Sequence, residues 1–563
     1  MPETTDDPPV VETRRARVRK LLQRPKIQLA LTITAAVLLF AALIFPNVLS
    51  RLTPIGFLRI PVEGAVILGV LAVLPGRARK IFAVVAGSLV GLLVIEKCLD
   101  MGFFEELNRP FDPVLDWVLF DDAFSFAADS YGRPASIAAV VAVLLLVLAI
   151  LALTSWSVLR VGDLVARHKR RSAITAGGLA VAWGLTFALG VSITGAVPVA
   201  ARSTATYAWD RAHQARAGLR DGAEFRQEVQ QDAFKTVPPA RMLTGLEGKD
   251  VIFTFVESYG RSAVEGVALS PVTRPVLDGG AAELSKAGFA ARSGWLTSPT
   301  FGGGSWLAHA TFESGLWINN EQRYRNLVSS DRLTLTRAFK NKTYRTVSIM
   351  PGATRAWPEG NFYGYDQVWD SRNLGYQGPK FSWSPMPDQY TLKHFNDIEY
   401  KKTGRGPLMV EMPLVSSHTP WAPIPDYLPD WNQVGDGSIY TTMEAAGQKP
   451  KALWAEPKKV RAEYGKSIVY SLTALINWIK LYGDDNLVMV FAGDHQPSPI
   501  AAGAGASHDV PVTIVAKDPG VLDRVTSWGW AEGLRPKPET PVWPMSDFRD
   551  KFFAAFGEQT PAS

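Results

Sequence analysis

The stretch VMVFAGDHQPSP, residues Val488 to Pro499, ends an uninterrupted apolar run with a carboxylate and an imidazole. The apolar residues lead into Gly493, and Asp494 and His495 follow side by side. Such a run is typical of a strand that is buried on both faces of a sheet. Asp next to His at a strand tip suits a divalent metal ion, since both side chains are metal ligands. A polar turn beside a chance histidine is the alternative at this point.

Four further apolar runs in the C-terminal half also predict strands, and they cover Val251–Ser258, Thr346–Met350, Pro407–His418 and Val510–Asp518. A helix between the run Pro407–His418 and the run that begins the quoted stretch is predicted by the i, i+3, i+4, i+7 spacing of Leu472, Leu475, Ile476 and Ile479. Apolar strands that alternate with helices predict a mainly parallel sheet covered on both faces. Ligands of such sheets bind beyond the carboxyl ends of the strands. Four polar side chains fall at such ends: Glu257, His418, Asp494 and His495.

The first 200 residues hold five apolar segments. Three of them are long enough to cross about 30 Å of hydrocarbon, and they are Ile27–Leu49, Ala135–Trp156 and Ala173–Val199. The segments Ile60–Pro75 and Ile81–Leu99 are weaker because they carry Glu63 and Glu96, and a soluble helical hairpin is their alternative. We expect an α-helical membrane domain of five transmembrane helices over residues 27–200.

Charge predicts the orientation of this membrane domain. Basic residues concentrate in 1–26, 77–80 and 157–172, whereas the loop between the third and fourth segments is acidic. Basic loops stay in the cytoplasm. The protein is therefore expected in the cell membrane with a cytoplasmic basic tail, residues 1–26, and with everything after residue 200 outside. The net charge of +6 resides in the basic loops, so a nucleic-acid partner is not expected.

The part of the chain after residue 200 is predicted to have three sections. Residues 201–248 are polar with many helix formers, which favours a helical linker at the membrane surface. The predicted strands lie in a catalytic domain of residues 249–545, and residues 546–563 are expected to be a C-terminal tail. The single cysteine among 563 residues excludes an internal disulfide and a cysteine-based zinc site.

A glycine-rich stretch, TSPTFGGGSWLAHATFESG, runs from Thr297 to Gly315. Its glycines let the backbone approach an anion closely, and a following helix N-terminus would bind phosphate or sulfate. Ser305 would stand there as a nucleophile, and it requires activation because a free serine hydroxyl is weak. No GxSxG motif surrounds it, which leaves metal coordination as the route. A flexible loop whose serine caps a helix is the alternative.

Four side chains together form a candidate metal site: Glu257, Ser305, Asp494 and His495. Two carboxylates, one alkoxide and one imidazole make a mixed oxygen and nitrogen site for one divalent ion of the Mn²⁺, Zn²⁺ or Mg²⁺ type. A metal ion there would lower the pKa of the serine hydroxyl and orient its attack on a tetrahedral anion.

The motifs FVES with Glu257, GGGSWLAH with Ser305, SSHTPW with His418 and AGDH with Asp494 resemble the alkaline phosphatase and sulfatase superfamily. The resemblance is greatest to its membrane-anchored lipoteichoic acid synthase and phosphoglycerol transferase branch. It extends over roughly residues 250–520 and includes GYDQVWD, Gly364–Asp370. It implies an extracytoplasmic α/β/α sandwich of the sulfatase type behind the transmembrane helices.

The resemblance also implies a two-step transfer reaction. Mn²⁺ is the favoured metal ion. Ser305, where the family usually has threonine, would attack a lipid-linked phosphodiester, and an envelope glycan or lipid acceptor would release the transferred group. His418 resembles the substrate-contacting histidine and would stabilise the leaving oxygen. Trp357 matches the head-group site, but the family's arginine would fall at Glu359, so that Arg355 is the candidate substitute. His309 and His508 are candidates for a second metal ion or for substrate binding, of which His508 is the better.

Three functions remain open at this point. Ser305 is followed by Trp306, Leu307, Ala308 and His309 instead of the C/S-x-P-x-R motif, so formylglycine is not expected. The leading prediction is a phosphoglycerol-like transferase. The alternatives are a sulfatase-like hydrolase or phosphodiesterase with water as acceptor, and a non-catalytic regulatory membrane protein of this fold.

Overall fold

The computed structural model describes residues 23–194, 197–454 and 456–558. Most of the expected basic tail, residues 1–22, lies outside this part, as do residues 559–563 of the expected C-terminal tail. The chain divides into two compact units. One contains Met1–Gly102 and Arg133–Ala215, and the other contains Phe103–Gly132 and Arg216–Ser563. Residues 103–132, expected in the membrane domain, thus group with the part of the chain that is expected to be catalytic.

The apolar segments near the N-terminus form helices. The helices up to residue 230 are α1 Pro25–Ile44, α2 Val62–Val73, α3 Gly76–Leu107, α4 Leu119–Tyr131, α5 Arg133–Arg167, α6 Lys169–Ala188 and α7 Ser203–Gln230. Within the first unit, Leu39, Leu71 and Val158 belong to one buried apolar cluster. Many other apolar side chains there stay exposed, as expected for helices whose surroundings are lipid.

Three of these helices, α1, α3 and α5, are long and apolar enough to cross a membrane, among the residues described. The expected count of five spans is not confirmed. The α2 helix has 12 residues and is therefore about 18 Å long, which is short of the hydrocarbon thickness. The α6 helix ends at Ala188, whereas its span was expected to reach residue 199. Short strands follow it: β2 Ser192–Thr194, β3 Val197–Pro198 and β4 Ala200–Ala201, which pairs with β1 Ile60–Pro61.

The second unit contains a nine-stranded sheet. Its strands are β5 Asp250–Val256, β6 Ala290–Thr297, β7 Arg345–Met350, β8 Gln367–Asp370, β9 Leu408–Leu414, β10 Leu487–Gly493, β11 Asp509–Ala516, β12 Ala531–Glu532 and β13 Val542–Pro544. Their order is β12-β6-β11-β10-β5-β9-β7-β8, with β13 also beside β6.

The five strands from β10 to β8 are parallel, as the sequence predicts. The strand β11 differs, because it runs antiparallel to both β10 and β6. The sheet is therefore mixed. Burial on both faces makes β11 as apolar as its parallel neighbours, so its residues do not reveal its direction.

Helices cover both faces of this sheet and are α8 Arg261–Glu265, α9 Ser270–Lys286, α10 Ser305–Ser314, α11 Glu321–Val328, α12 Leu335–Asn341, α13 Gly360–Tyr363, α14 Asp388–Phe395, α15 Tyr440–Ala446, α16 Pro450–Leu453, α17 Pro457–Tyr482, α18 Pro499–Ala502, α19 Pro519–Asp523 and α20 Asp547–Phe556. The predicted helix around Leu472 is part of α17, whose buried face includes Leu475 and Ile479. Two large apolar clusters, one on each face, form the core.

Two expected boundaries change with this architecture. The helical part of the expected linker 201–248 is α7, and Leu243 and Leu246 beyond it are already buried in the core. The expected tail from residue 546 is instead the helix α20 up to Phe556. Its phenylalanines Phe548 and Phe552 are fully buried, because their i, i+4 spacing presents one apolar stripe to the sheet.

Candidate metal centre and nucleophile

The parallel pairing of β5 with β10 brings two carboxylates together. Val256 and Gly493 are partners in the register of these strands. The next residues, Glu257 and Asp494, therefore leave the same edge of the sheet side by side. Both are buried.

Asp494 is held by backbone N–H groups. Its Oδ1 accepts hydrogen bonds from the N–H of Ser258 and from the N–H of His495, both at 2.7 Å. Ser258 adopts a positive φ of 56°. The other oxygen, Oδ2, lies 3.7 Å from Nε2 of His495.

His495 presents one defined nitrogen to the centre. Its Nδ1 lies 2.8 Å from the carbonyl oxygen of Gln496, and because a carbonyl only accepts, Nδ1 carries the proton in the neutral ring. Nε2 then has a free lone pair, which is the form that binds metal ions. This nitrogen lies 3.4 Å from Oε1 of Glu257.

Ser305 is the first residue of α10, directly after the left-handed Gly304 with φ 80°. Its Oγ donates to Oε2 of Glu257 at 3.0 Å and lies 3.2 Å from Nε2 of His495. The hydroxyl thus sits at a helix N-terminus, where free N–H groups and the helix dipole favour an anion. All four residues of the candidate metal site converge at this place.

The donor atoms fit a divalent cation. Ligand atoms of Glu257, Asp494 and His495 all lie within 4.8 Å of one another, with Oγ of Ser305 in hydrogen-bond contact. No lysine or arginine forms an ion pair with either carboxylate in the described part of the chain. Two buried carboxylates without a cation are costly, so the electrostatics of the site favour a bound metal ion. When bound, such an ion lowers the pKa of a coordinated hydroxyl and polarises a phosphoryl oxygen.

The site shifts the ionisation of its own groups. Burial, and then the neighbouring Glu257 carboxylate, raise the pKa of Asp494 to about 6. Burial opposes the charged form of His495, but Asp494 and Glu257 outweigh it and raise the pKa of this imidazole. The Glu257 carboxylate contributes to both shifts, and a bound cation would neutralise its charge.

The chain contains a recognisable family domain around this site. The family model Sulfatase matches residues 250–515. These residues form a sulfatase domain. The match agrees with the expected alkaline phosphatase and sulfatase superfamily for this part of the chain. No curated protein matches the chain significantly.

Solved structures resemble the sulfatase domain at low identity. Lipoteichoic acid synthase LtaP from Listeria monocytogenes is 15% identical with a TM-score of 0.36, covering 60% of this chain and 79% of its own. Phosphoglycerol transferase GacH from Streptococcus pyogenes is 13% identical with a TM-score of 0.38, covering 60% and 82%. The periplasmic domain of EptC from Escherichia coli is 16% identical with a TM-score of 0.32, covering 48% and 72%.

His418 of the sulfatase domain stacks on Trp383 with a centroid distance of 3.7 Å. Its Nδ1 lies 2.6 Å from the carbonyl oxygen of Thr419, so Nδ1 carries the proton. Burial lowers the pKa of His418 to about 4, which leaves the ring neutral with Nε2 as an acceptor. A ring in this form can accept from a substrate hydroxyl, whereas stabilising a leaving oxygen needs a donor; the substrate role of His418 stays a prediction.

The expected head-group residues lie in different surroundings. Arg355 is exposed, and its Nη2 donates to Oγ of Ser125 at 3.4 Å. Trp357 packs against Tyr363 and Tyr365 with ring centroids 5.5 and 6.1 Å away. Trp357 therefore serves a small apolar cluster, which also includes Leu307 of α10. Their substrate contacts remain a prediction.

His508 lies beside the glycine-rich loop. Its ring is 5.2 Å from that of Phe301, the residue before Gly302. The carbonyl oxygen of His508 accepts from the N–H of Ser298 at 2.9 Å. His508 is not among the clustered metal-ligand atoms of the described residues. It thus supports the loop, and its substrate contact is also still a prediction.

The glycine-rich loop of the sulfatase domain is pressed against the segment Phe103–Gly132. A Cβ added to Gly302, whose φ is 72°, would lie 1.7 Å from the carbonyl oxygen of Glu106. Only glycine permits this approach. The amide of Gly302 in turn donates to the carbonyl oxygen of Gln496 at 2.9 Å. The loop before Ser305 is therefore held from both sides.

A buried polar group beneath Ser305 was not predicted. Glu411 of β9 is 2% exposed, Glu313 of α10 is 1% exposed, and Nδ1 of His309 lies 3.4 Å from Oε1 of Glu411. Glu411 also accepts a hydrogen bond from the hydroxyl of Tyr365. A signal existed in the sequence, because Glu411 interrupts the apolar run LMVEMPLV.

Proposed function

We propose that this protein is a membrane-anchored, metal-dependent transferase that moves a phosphoryl-linked group through a covalent intermediate on Ser305. The observation that carries the proposal is the position of Ser305 Oγ, 3.0 Å from Glu257 Oε2 and 3.2 Å from His495 Nε2. At this place the hydroxyl faces a cation site and also begins a helix, so an anionic phosphoryl group meets favourable charge from both.

The transfer has two balanced steps. First, Oγ of Ser305 attacks the phosphorus of a phosphodiester; the bond to the leaving alcohol breaks, and that alcohol takes up a proton. Then a hydroxyl group attacks the same phosphorus. Its oxygen forms the new bond, the bond to Oγ breaks, and Ser305 regains its proton. In this scheme Glu257, Asp494 and His495 hold the metal ion, for which Mn²⁺ is the favoured candidate, while His418 accepts from a substrate hydroxyl.

The apolar helices favour a lipid donor. Three of them are suited to membrane anchoring, by length and composition, and an anchored enzyme meets membrane lipids at high local concentration. We therefore propose a lipid with a phosphorylated head group as donor and an envelope glycan or lipid as acceptor. The phosphoglycerol-like group is taken from the sequence resemblance to phosphoglycerol transferases.

Ser305→Ala tests the nucleophile, with Ser305→Thr as the matched control. The alanine variant should lose at least about a hundredfold in turnover, as expected when a covalent nucleophile is removed. The threonine variant keeps a hydroxyl and should retain activity. The measurement is Mn²⁺-dependent release of diglyceride from phosphatidylglycerol by the full-length protein, with mass spectrometry of the Ser305 adduct.

Several outcomes would contradict the proposal. An alanine variant as active as the wild type would exclude Ser305 as nucleophile. A wild-type protein that forms no Ser305 adduct, does not turn over the lipid and does not bind Mn²⁺ would favour the non-catalytic alternative. Product formation that does not depend on an added acceptor would show that the reaction is hydrolysis, with water as the acceptor, and not transfer.

A further inference from the structure

The nitrogen Nε2 of His309 is a buried polar atom without a hydrogen-bond partner among the described residues. Leaving such an atom unpaired costs about 1–3 kcal/mol, so native structures normally supply a partner, from protein, water or ligand. The His309 side chain is 12% exposed, whereas Nε2 itself is buried, so a partner group would bind in the interior beside it.

The ring of His309 has a fixed orientation. It stacks on Phe255 of β5 with a centroid distance of 4.0 Å and an angle of 17°. Nδ1 lies 3.4 Å from Oε1 of Glu411, and Glu411 lies on β9, opposite Phe253 of β5. The imidazole is therefore clamped over β5 with Nδ1 toward β9.

This orientation turns Nε2 toward the candidate metal centre. The strand β5 lies between β9 and β10, and the two nitrogens of an imidazole point in nearly opposite directions. Nε2 thus faces the β10 side, where Asp494 and His495 follow the strand. The electrostatics of His309 agree with a position near Asp494 and His495. Burial lowers the pKa of His309 to about 4; the Asp494 carboxylate opposes this lowering, and His495 adds to it.

The helix places His309 beneath the nucleophile. Ser305 and His309 are one turn apart on α10, and side chains at i and i+4 lie on one face, roughly 6 Å apart. A group attached to Ser305 Oγ would therefore have Nε2 of His309 as a neighbour.

The tautomer of His309 defines the chemistry of its partner. When Glu411 is ionised, a proton on Nδ1 of the neutral ring faces its carboxylate at 3.4 Å, and the ring then offers a lone pair at Nε2. Phosphoryl oxygens are acceptors and do not satisfy such a lone pair, whereas a hydroxyl group does.

We propose that His309 is an acceptor-binding residue, whose Nε2 orients the hydroxyl group that releases the transferred phosphoryl group from Ser305. The inference rests on the proposed function of Ser305. In the release step the hydroxyl oxygen bonds to phosphorus, the bond to Ser305 Oγ breaks, and the hydroxyl proton ends on Oγ. Water and an alcohol share this chemistry, so the experiment includes both as acceptors.

Two amide variants separate the two nitrogens of the ring. In His309→Gln the side-chain amide lies where Nε2 was, and in His309→Asn it lies where Nδ1 was. A nitrophenyl phosphodiester serves as probe for the full-length protein with Mn²⁺, because its good leaving group makes the first step fast. Steady-state turnover then reports the release step.

H309N should keep a burst of about one nitrophenolate per enzyme, while its turnover falls at least about tenfold and the Ser305 adduct accumulates in mass spectra. H309Q should stay within a few-fold of the wild type. Glycerol, compared with water alone, should raise the turnover of the wild type and H309Q but not of H309N. The Mn²⁺ dissociation constant, measured by calorimetry, should be similar in all three proteins, since the clustered ligand atoms of the described residues belong to Glu257, Asp494 and His495.

Other outcomes overturn the inference. H309N keeps a polar group where Nδ1 faces Glu411. If H309N turns over as fast as the wild type, or faster than H309Q, that nitrogen is the important one and the role of His309 is structural. Loss of the burst would place His309 in the first step. If H309N fails to fold, Phe255→Leu, which removes the stacking contact, should slow release with the burst retained, and unchanged release would contradict the inference. A wild type without nitrophenolate release would overturn the proposed function itself.

Discussion

Asp494 and His495 each use one polar atom to fix their orientation and leave another facing the centre. Oδ1 of Asp494 is held by two backbone N–H groups, and Nδ1 of His495 is paired with the Gln496 carbonyl. Such outer contacts orient metal ligands before an ion arrives. Since the charge of the two carboxylates is not balanced by lysine or arginine among the described residues, metal affinity and stability should be linked.

Glu257→Gln should change stability in opposite directions with and without metal. Without metal it removes one of two adjacent buried negative charges, and the unfolding free energy should rise by about 1 kcal/mol. With Mn²⁺ at a hundred times its dissociation constant, the wild type should gain about 2.7 kcal/mol, and the variant much less. Thermal unfolding with EDTA and with Mn²⁺ measures both effects.

The exposed Glu532→Gln is the matched control for this substitution, because it makes the same chemical change away from the site. It should behave as the wild type in both conditions. A Glu257→Gln protein that Mn²⁺ stabilises as strongly as the wild type would remove Glu257 from the metal site.

The buried Glu313 should make the protein less stable as pH rises. Burial, together with the nearby Glu411 carboxylate, raises the pKa of Glu313 above its usual value. The folded state therefore binds more protons than the unfolded state above pH 4.5, and stability falls until the raised pKa is passed. Glu313→Gln, which can still pair with Thr336, should show a smaller loss of thermal midpoint between pH 5 and pH 8. Equal losses in the variant and the wild type would argue against this.

At the scale of elements, the strands of the sheet were largely predictable, but their directions were not. The five apolar runs correspond to β5, β7, β9, β10 and β11. The strands β6 and β8 were missed, because polar residues such as Arg292 and Gln367 break their apolar pattern. The glycine-rich loop was recognised, whereas its contact with the segment Phe103–Gly132 depends on residues far away in the chain.

Gly302→Ala tests whether this contact positions the nucleophile. The added Cβ would collide with the Glu106 carbonyl oxygen at 1.7 Å, so the loop that carries Ser305 must shift, and turnover should fall at least about tenfold because small misplacements of reacting groups are costly. Gly505→Ala is the control, since its φ is 77° and nothing lies within 4 Å. Both variants pay roughly 1–2 kcal/mol for a left-handed alanine, but only the first should lose turnover at unchanged Mn²⁺ affinity. Equal turnover in both would show that the contact has no positioning role.

At the scale of the whole molecule, the sulfatase domain is predicted outside the cell and the N-terminus inside. The structure has three helices suited to span a membrane among its described residues, and the sequence predicts five. Both counts are odd, so both place the two ends of the membrane domain on opposite sides.

Two single-cysteine proteins test this orientation in a Cys98→Ser background, since Cys98 is the one native cysteine. Val267 is 93% exposed in the sulfatase domain, and His168 is exposed between α5 and α6. V267C should react with a membrane-impermeant maleimide in intact cells, and H168C only after permeabilisation. The reverse pattern would place the catalytic site in the cytoplasm and contradict the proposed envelope acceptor.

The sequence alone determined the type of each site residue and its place at a strand end or helix start, because these depend on local patterns of apolar residues, glycines and charge. It also determined the superfamily. The tertiary structure decided that Ser305 lies 3.0 Å from Glu257 and that His309 stands beside Glu411. These pairs join residues far apart in the chain, and only the register of β10, β5 and β9 with α10 packed across them brings such residues within reach.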